Sequence, residues 1–120
     1  MLVIDDEPDV RLLATVVLTR AGYEVEEAVD GIAGLERLSR LPRPDVVVLD
    51  VRMPGMDGLA VLESLGSEGP PVVLVTADNA ALKAGVRWTL AKPYRPDELA
   101  AAVEAALGSS SGSAGGSTEP

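Results

Sequence analysis

The chain contains no cysteine and no histidine, and these two absences exclude several kinds of chemistry. Without cysteine there can be no disulfide, no thiolate metal site and no thiol redox centre. Without histidine the chain lacks the usual imidazole base and zinc ligand, and it cannot itself carry a phosphohistidine. Any acid, base or metal chemistry must therefore come from carboxylates, Lys, Arg, Tyr or hydroxyl groups.

Long apolar runs and a basic patch are also missing. No apolar run reaches the length of about 18 residues that a membrane span needs. The apolar stretch 1–4 runs directly into Asp5, Asp6 and Glu7, unlike a secretory signal. The net charge is −9, whereas domains that bind duplex DNA usually carry a basic patch. We therefore expect a soluble cytoplasmic protein that binds neither membranes nor nucleic acid directly.

Apolar residues make up 47% of the chain and fall into alternating short and amphipathic segments. The short runs typical of β-strands occupy residues 2–4, 24–28, 45–50, 71–75 and 86–91. Segments with helical spacing or helix-end signals occupy residues 8–21, 32–38, 58–65, 79–84 and 96–107. Five strands alternating with helices predict an α/β domain, doubly wound around a parallel sheet.

The composition changes after residue 107. Residues 108–120 are rich in Gly and Ser and show no apolar pattern, which predicts a flexible tail or linker. The whole chain has 120 residues, a length that suits one domain. We therefore divide the chain into a single domain at 1–107 and a flexible tail at 108–120.

Polar residues stand at the ends of four predicted strands. Asp5 and Asp6 follow the first strand, Asp50 ends the third, Thr76 follows the fourth, and Lys92 follows the fifth. Ligands of open α/β sheets bind beyond the carboxyl ends of the strands, so these side chains should share one edge. Clustered carboxylates repel one another, and Mg²⁺, which prefers oxygen ligands, would relieve that repulsion. With an ammonium and a hydroxyl to contact phosphate oxygens, the set suits phosphoryl transfer.

Each of these residues also has a purely structural interpretation when it is taken alone. Asp5 and Asp6 can cap the first helix, Asp50 can begin a turn, Thr76 can cap the next segment, and Lys92 can be a surface residue. Their joint occurrence at one predicted sheet edge favours the functional interpretation.

Four segments of the chain resemble motifs of the receiver domain of bacterial response regulators. They are VIDDEP at 3–8, DVRMPGMDG at 50–58, VTA at 75–77 and AKPY at 91–94, in family order. The resemblance spans nearly all of residues 1–107 and implies a flavodoxin-like fold with strand order 2-1-3-4-5. It also implies a signalling domain, phosphorylated by a histidine kinase or phosphotransfer protein, that changes its interactions with an output partner or domain.

The resemblance implies a Mg²⁺ site built around the phospho-acceptor. Asp50 would accept the phosphoryl group and also bind the metal. Asp6 would bind Mg²⁺ directly, and Asp5 would act mainly through water. The backbone carbonyl of Arg52 would complete the site, and Gly58 would serve the turn into the third helix.

The resemblance also implies which groups contact the phosphoryl group once it is attached. These are the Thr76 hydroxyl, the backbone N–H of Ala77 and the Lys92 ammonium. The peptide bond between Lys92 and Pro93 is usually cis in this family.

Two departures from the family pattern follow the fourth strand. The stretch from Thr76 to Gly85 is about six residues shorter than the family norm, over one helical turn, so the fourth helix should be shortened. The aromatic that usually precedes the lysine by three positions is Thr89 here, with Trp88 before it. Strand side chains alternate between faces, so Trp88 should pack on a helix or cover the shortened region rather than replace that ring. We expect the switch region of Thr76, Trp88 and Thr89 to relay phosphorylation in an altered way.

Two other function classes, an enzyme and a pseudo-receiver, compete with a receiver. Phosphatases of the haloacid dehalogenase type need a second Asp two residues after the nucleophile, where this chain has Arg52, so no enzyme is expected. Dinucleotide-binding and P-loop signatures are missing as well. A pseudo-receiver, an interaction module without phosphorylation, stays open because of the shortened region. A further hypothesis is that Arg52 and Asp78 pair across the site and slow hydrolysis of the aspartyl phosphate.

Overall fold

The computed structural model describes residues 1–66, 69–77 and 86–115. The strands are β1 (Leu2–Ile4), β2 (Glu26–Ala28), β3 (Val47–Asp50), β4 (Val72–Thr76) and β5 (Trp88–Ala91). The helices in the described residues are α1 (Pro8–Arg20), α2 (Gly31–Leu38), α3 (Gly58–Leu65) and α4 (Pro96–Gly115). The strands form one five-stranded parallel sheet in the order β2-β1-β3-β4-β5, which confirms the predicted doubly wound fold.

The register of the sheet brings the strand ends together. Asp50 of β3 pairs with Val75 of β4, and Thr76 of β4 pairs with Ala91 of β5. Since all strands are parallel, the residues that end or follow them lie along one carboxyl edge. The topological switch point lies between β1 and β3, the position where ligands bind in such sheets.

The sheet is covered on both faces, and the apolar side chains of each strand alternate between two cores. The face covered by α2 and α3 buries Leu2, Ile4, Leu38, Val47, Leu49, Val61 and Leu74. The face covered by α1 and α4 buries Val3, Ala14, Leu18, Val48, Val73, Leu99 and Val103. The central strand β3 is buried along its whole length, as the unbroken apolar run predicted.

Helix α3 begins against the end of β3 because residue 58 is glycine. A Cβ atom added to Gly58 would collide with the backbone carbonyl oxygen of Asp50 and would lie 2.8 Å from the Cα atom of Val51. The Gly58 N–H donates to the Val51 carbonyl at 2.8 Å, and the Asp57 side chain caps α3 by accepting from the Ala60 N–H at 3.0 Å. The turn after Asp50 is therefore held by short backbone contacts.

Helix α2 buries only part of the apolar stripe that its sequence shows: Leu38 is buried and Leu35 partly buried. Ile32 is 63% exposed, and the buried positions are Gly31, Gly34 and Leu38. A Cβ atom at Gly34 would collide with the side chain of Ile4. The helix therefore packs on β1 through Gly34, while Gly31 packs against Met56 and Val61, and Ile32 lies away from the core.

Helix α4 continues further than expected. It begins at Pro96 with Asp97 and Glu98 in its first turn, near the positive end of the helix dipole. It extends to Gly115, past the predicted end at Leu107. Residues 108–115 are thus helical rather than an irregular tail, and the division of the chain at residue 107 stays a prediction.

Two predictions concern residues that the structure does not describe. The shortened helix at 79–84 and the pairing of Arg52 with Asp78 both lie outside the described ranges. Within those ranges, no helix has the length and apolar character that crossing a membrane requires.

Candidate functional site

The structure brings the predicted polar residues together at the carboxyl edge of the sheet. Carboxylate oxygens of Asp5, Asp6 and Asp50 lie within 4.8 Å of one another. Asp5, Asp50 and Thr76 are buried, at 5%, 3% and 0% exposure. Such a cluster concentrates negative charge where water is scarce, which is costly unless cations compensate it.

Lys92 provides a cation inside this cluster. Its Nζ atom lies 3.1 Å from Asp50 Oδ1, 3.4 Å from Asp5 Oδ2 and 3.7 Å from Glu7 Oε1. Glu7 was not among the predicted site residues, although the acidic run that begins at Asp5 pointed to it. The peptide bond from Lys92 to Pro93 is cis, as the family resemblance implied.

Burial and crowding shift the ionisation of this cluster. Burial raises the pKa of the Asp50 carboxyl, the charge of Asp5 raises it further, and Lys92 opposes both effects only in part. Burial alone would lower the pKa of the Lys92 ammonium, but the charges of Asp5 and Asp50 outweigh it and raise that pKa. Lys92 therefore stays charged at neutral pH, and the Asp50 carboxylate is more basic than an ordinary one.

The two adjacent carboxylates after β1 differ in their hydrogen bonding. Asp5 Oδ1 accepts a hydrogen bond from the Glu7 N–H at 2.9 Å. Asp6 Oδ1 is buried and has no hydrogen-bond partner within the described part of the chain. A buried carboxylate oxygen without a partner is costly, and a cation bound to it would remove that cost. This donor set, all oxygen and mostly anionic, fits Mg²⁺.

The remaining predicted phosphate and metal contacts lie on the same edge. Thr76 ends β4 fully buried, and Ala77 follows it in an exposed position. The Lys92 N–H donates to the Thr76 carbonyl at 2.9 Å, which ties the ends of β4 and β5 together. Arg52 lies in the loop after Asp50, with its side chain exposed.

Trp88 and Thr89 lie on opposite faces of β5. Trp88 packs into the core beneath α1 and α4, and the Arg87 guanidinium lies 5.2 Å from the centre of its ring. Thr89 pairs with Leu74, so it faces the α2–α3 side, as does Thr76 two residues further along β4. Trp88 is therefore on the wrong side of the sheet to replace an aromatic at position 89.

Sequence reasoning missed Arg11. From the second turn of α1 its Nη1 donates to the Asp5 carbonyl oxygen at 2.8 Å, and its Nε donates to Glu27 Oε1 at 2.9 Å. The side chain is only 15% exposed. The sequence shows a cation at this position, but nothing in it indicates that the side chain turns back towards β1.

An apolar cavity of about 350 Å³ opens next to the site. Its lining consists of Val10, Leu13, Ala77, Lys92, Pro93 and Tyr94. Burial raises the pKa of the Tyr94 phenol. The cavity connects the exposed side of α1 with the segment that carries Lys92.

The sequence of this chain is similar to those of response regulators. Residues 1–104 match the family model of the response regulator receiver domain. The chain is 42% identical over 115 residues to the response regulator MprA of Mycobacterium leprae, covering 89% of this chain and 50% of that protein. It is 36% identical over 114 residues to the DNA-binding response regulator MtrA of Mycolicibacterium smegmatis, with the same coverages of 89% and 50%. The chain thus spans about half the length of these curated relatives.

Solved structures show the same likeness. The chemotaxis protein CheY4 of Vibrio cholerae superimposes with a TM-score of 0.77 and 29% identity, over 88% of this chain and 96% of that one. A response regulator receiver domain protein of Clostridium thermocellum superimposes with a TM-score of 0.81 and 28% identity, over 92% and 94% of the two chains.

Proposed function

The chain belongs to the response regulator receiver domain family, and from that premise we propose that it accepts a phosphoryl group on Asp50. The observation that carries the proposal is the buried Asp50 carboxylate, clustered with two further carboxylates and 3.1 Å from Lys92 Nζ. We propose that it acts as a regulatory domain and not as an enzyme on outside substrates.

The chemistry follows from the positions of these groups. A carboxylate oxygen of Asp50 attacks the phosphorus of a phosphohistidine while the P–N bond breaks, and the leaving nitrogen keeps the bonding electron pair. The raised pKa of Asp50 strengthens it as a nucleophile. Lys92 then pairs with a phosphoryl oxygen instead of the carboxylate, and Thr76 and the Ala77 N–H contact the remaining oxygens.

Asp6, Asp50 and the Arg52 carbonyl would hold Mg²⁺, with Asp5 acting mainly through water. The bound ion supplies positive charge that offsets the carboxylates and the incoming phosphoryl oxygens. The unpartnered Asp6 Oδ1 supports this assignment within the described residues.

The proposed phosphodonor is a histidine kinase or a phosphotransfer protein, which would supply the phosphohistidine that this chain, without histidine, cannot carry. Helix α1 exposes Leu12, Leu13 and Val16 at 58%, 45% and 38%, and Leu13 also lines the cavity beside Lys92. A row of exposed apolar side chains on a helix suits docking of an apolar partner surface. We place the docking surface of the donor there.

A substitution on α1 separates docking from chemistry. Leu13→Lys should slow phosphoryl transfer from a phosphotransfer protein about tenfold or more, because a charge enters the apolar contact. Labelling by acetyl phosphate, which needs no docking surface, should be unchanged. Leu59→Lys on α3, where the exposure is 38%, is the matched control and should leave both reactions unchanged. Equal slowing of both reactions by Leu13→Lys would argue against this docking surface.

We infer the output from the length and the names of the relatives. The curated relatives are about twice as long as this chain, and the name of one describes a DNA-binding regulator. We propose that phosphorylation changes contacts with an output domain or partner in the cytoplasm. With a net charge of −9, this domain itself is not proposed to bind DNA.

The decisive experiment is intact mass after incubation with acetyl phosphate and Mg²⁺. The wild-type chain should gain one phosphoryl group, and the gain should disappear with a metal chelator or in Asp50→Asn. A chain that binds no Mg²⁺ and gains no mass would instead be a phosphorylation-independent interaction module. No feature of the described residues favours that alternative, since the acidic cluster and Lys92 stand together.

A further inference from the structure

Arg11 connects three elements around the acidic pair that follows β1. Its Nη1 donates to the Asp5 carbonyl oxygen at 2.8 Å, and its Nε donates to Glu27 Oε1 of β2 at 2.9 Å. The Arg11 side chain is 15% exposed and its bond to the Asp5 carbonyl is partly buried, whereas Glu27 is 41% exposed. A guanidinium suits this task because its donors are held in one rigid plane.

The hydrogen bond to Asp5 acts on the peptide that leads into Asp6. The carbonyl of Asp5 belongs to that peptide, while the Asp5 N–H donates to the Ala28 carbonyl at 3.2 Å. Both sides of the Asp5 backbone are therefore held, one by β2 directly and one by Arg11. Because Glu27 precedes Ala28, both links return to the same end of β2.

The orientation of the Asp6 carboxylate depends on the peptide between Asp5 and Asp6. Its Oδ1 atom is buried and has no hydrogen-bond partner in the described part of the chain, so no contact of that atom aims the carboxylate. The orientation of the peptide before Asp6 then decides where the carboxylate points. Asp5 gains a direct constraint from the Glu7 N–H, which Asp6 lacks.

We propose that Arg11 is a positioning residue that aims the Asp5–Asp6 pair at the metal and thereby sets the affinity for Mg²⁺. The inference rests on the proposed function of the acidic cluster. The proposal predicts a change in Mg²⁺ affinity that is opposite to the change expected from charge alone. Removing a cation beside carboxylates would by itself strengthen Mg²⁺ binding, whereas loss of positioning weakens it.

The test is a calorimetric Mg²⁺ titration of the full chain at a temperature where circular dichroism shows every variant folded. Arg11→Met should weaken Mg²⁺ binding about tenfold or more, the range seen when groups that orient metal ligands are lost. Arg11→Lys keeps the charge but cannot reach both acceptors in one plane, so its affinity should fall between those of Arg11→Met and the wild type. Glu27→Gln, which keeps Arg11, should show a smaller loss in the same direction.

Arg37→Met is the matched control. Arg37 is 16% exposed, pairs with Glu26 and donates to the carbonyls of Arg40 and Pro42, but lies at the opposite end of the sheet. Its loss should leave Mg²⁺ affinity unchanged. Equal or tighter binding by Arg11→Met, or an equal loss in Arg37→Met, would overturn the inference. A wild-type chain that binds no Mg²⁺ would overturn the proposed function itself, and the inference with it.

Discussion

The carboxyl and amino ends of the sheet differ in how their charged side chains are buried and paired. At the carboxyl end, Asp5 and Asp50 are buried at 5% and 3% exposure and crowd around Lys92. At the amino end, Arg37 meets Glu26 through two hydrogen bonds of 2.7 and 3.0 Å, and Glu26 is 57% exposed. One end keeps an excess of buried negative charge, and the other balances its charges near water.

The pKa shifts record the same difference. Burial and the charge of Asp5 raise the pKa of Asp50, whereas the hydrogen bond from Arg37 lowers the pKa of Glu26. A raised carboxyl pKa means that the fold opposes the charged form, a pattern that is common at functional sites. The comparison teaches that the carboxyl end gives up stability to hold buried carboxylates, as the proposed nucleophile and metal site require. Four substitutions sharpen or break this account.

The largest effect is expected for Gly58→Ala, at the carboxyl end. The new methyl would meet backbone atoms of Asp50 and Val51, which cannot move aside, so stability should fall by about 3 kcal/mol or more. Gly108→Ala in α4, where a Cβ atom has open space, should instead stabilise by up to about 1 kcal/mol. Urea unfolding of both variants measures the contrast. A mild loss in Gly58→Ala would show that the turn after Asp50 can relax.

Next in size is Lys92→Met. This substitution removes the ammonium that Asp5 and Asp50 share. The free energy of unfolding of the metal-free protein should therefore fall by about 2 kcal/mol at neutral pH. The loss should shrink when Mg²⁺ is added, because the ion replaces part of the missing charge. Arg37→Met should cost much less. Thermal unfolding measures the stability of both variants. An equal loss of stability in Lys92→Met and Arg37→Met would contradict the proposed difference between the two ends.

Asp50→Asn should stabilise the metal-free protein. Because the folded-state pKa of Asp50 is raised, its charge opposes folding at neutral pH, and this penalty disappears as the pH falls through that pKa. Asp50→Asn should therefore be more stable than the wild type by on the order of 1 kcal/mol at neutral pH, and equally stable in acid. Unfolding curves recorded across the acidic range test this. A variant less stable than the wild type at neutral pH would show that the bond to Lys92 outweighs burial.

The smallest effect is expected for Glu26→Gln. The lowered pKa of Glu26 means that its bond to Arg37 contributes stability above the unfolded-state pKa and loses it as the pH falls through the folded-state value. Glu26 is 57% exposed, so the change in melting temperature should be close to experimental error and vanish at high salt. A large, salt-resistant loss would mean that the amino end also depends on buried charge.

The sequence predicted which residues meet at the carboxyl edge of the sheet, because a parallel sheet allows few other arrangements. A parallel sheet places the ends of its strands together, so Asp50, Thr76 and Lys92 had to meet once the strands were recognised. The alternation of strand side chains also placed Trp88 and Thr89 on different faces.

Long-range packing was beyond the sequence pattern. The apolar stripe of α2 indicated that Ile32 was buried, but the helix packs on Ile4 through Gly34, and Ile32 lies away from the core. Arg11 was missed because an arginine on a helix usually points to water, and only the three-dimensional structure shows the Asp5 carbonyl as its partner. Periodicity records which residues are apolar, not which of several neighbours they meet.

The most direct test of the account is the position of the phosphoryl group. The chain would be labelled with acetyl phosphate and Mg²⁺, then treated with borohydride, which reduces an acyl phosphate to an alcohol and releases phosphate. Peptide mass spectrometry would then locate the modified residue. The account predicts reduction at Asp50 alone, whereas reduction at Asp5 or Asp6, or a stable label on a hydroxyl, would contradict it.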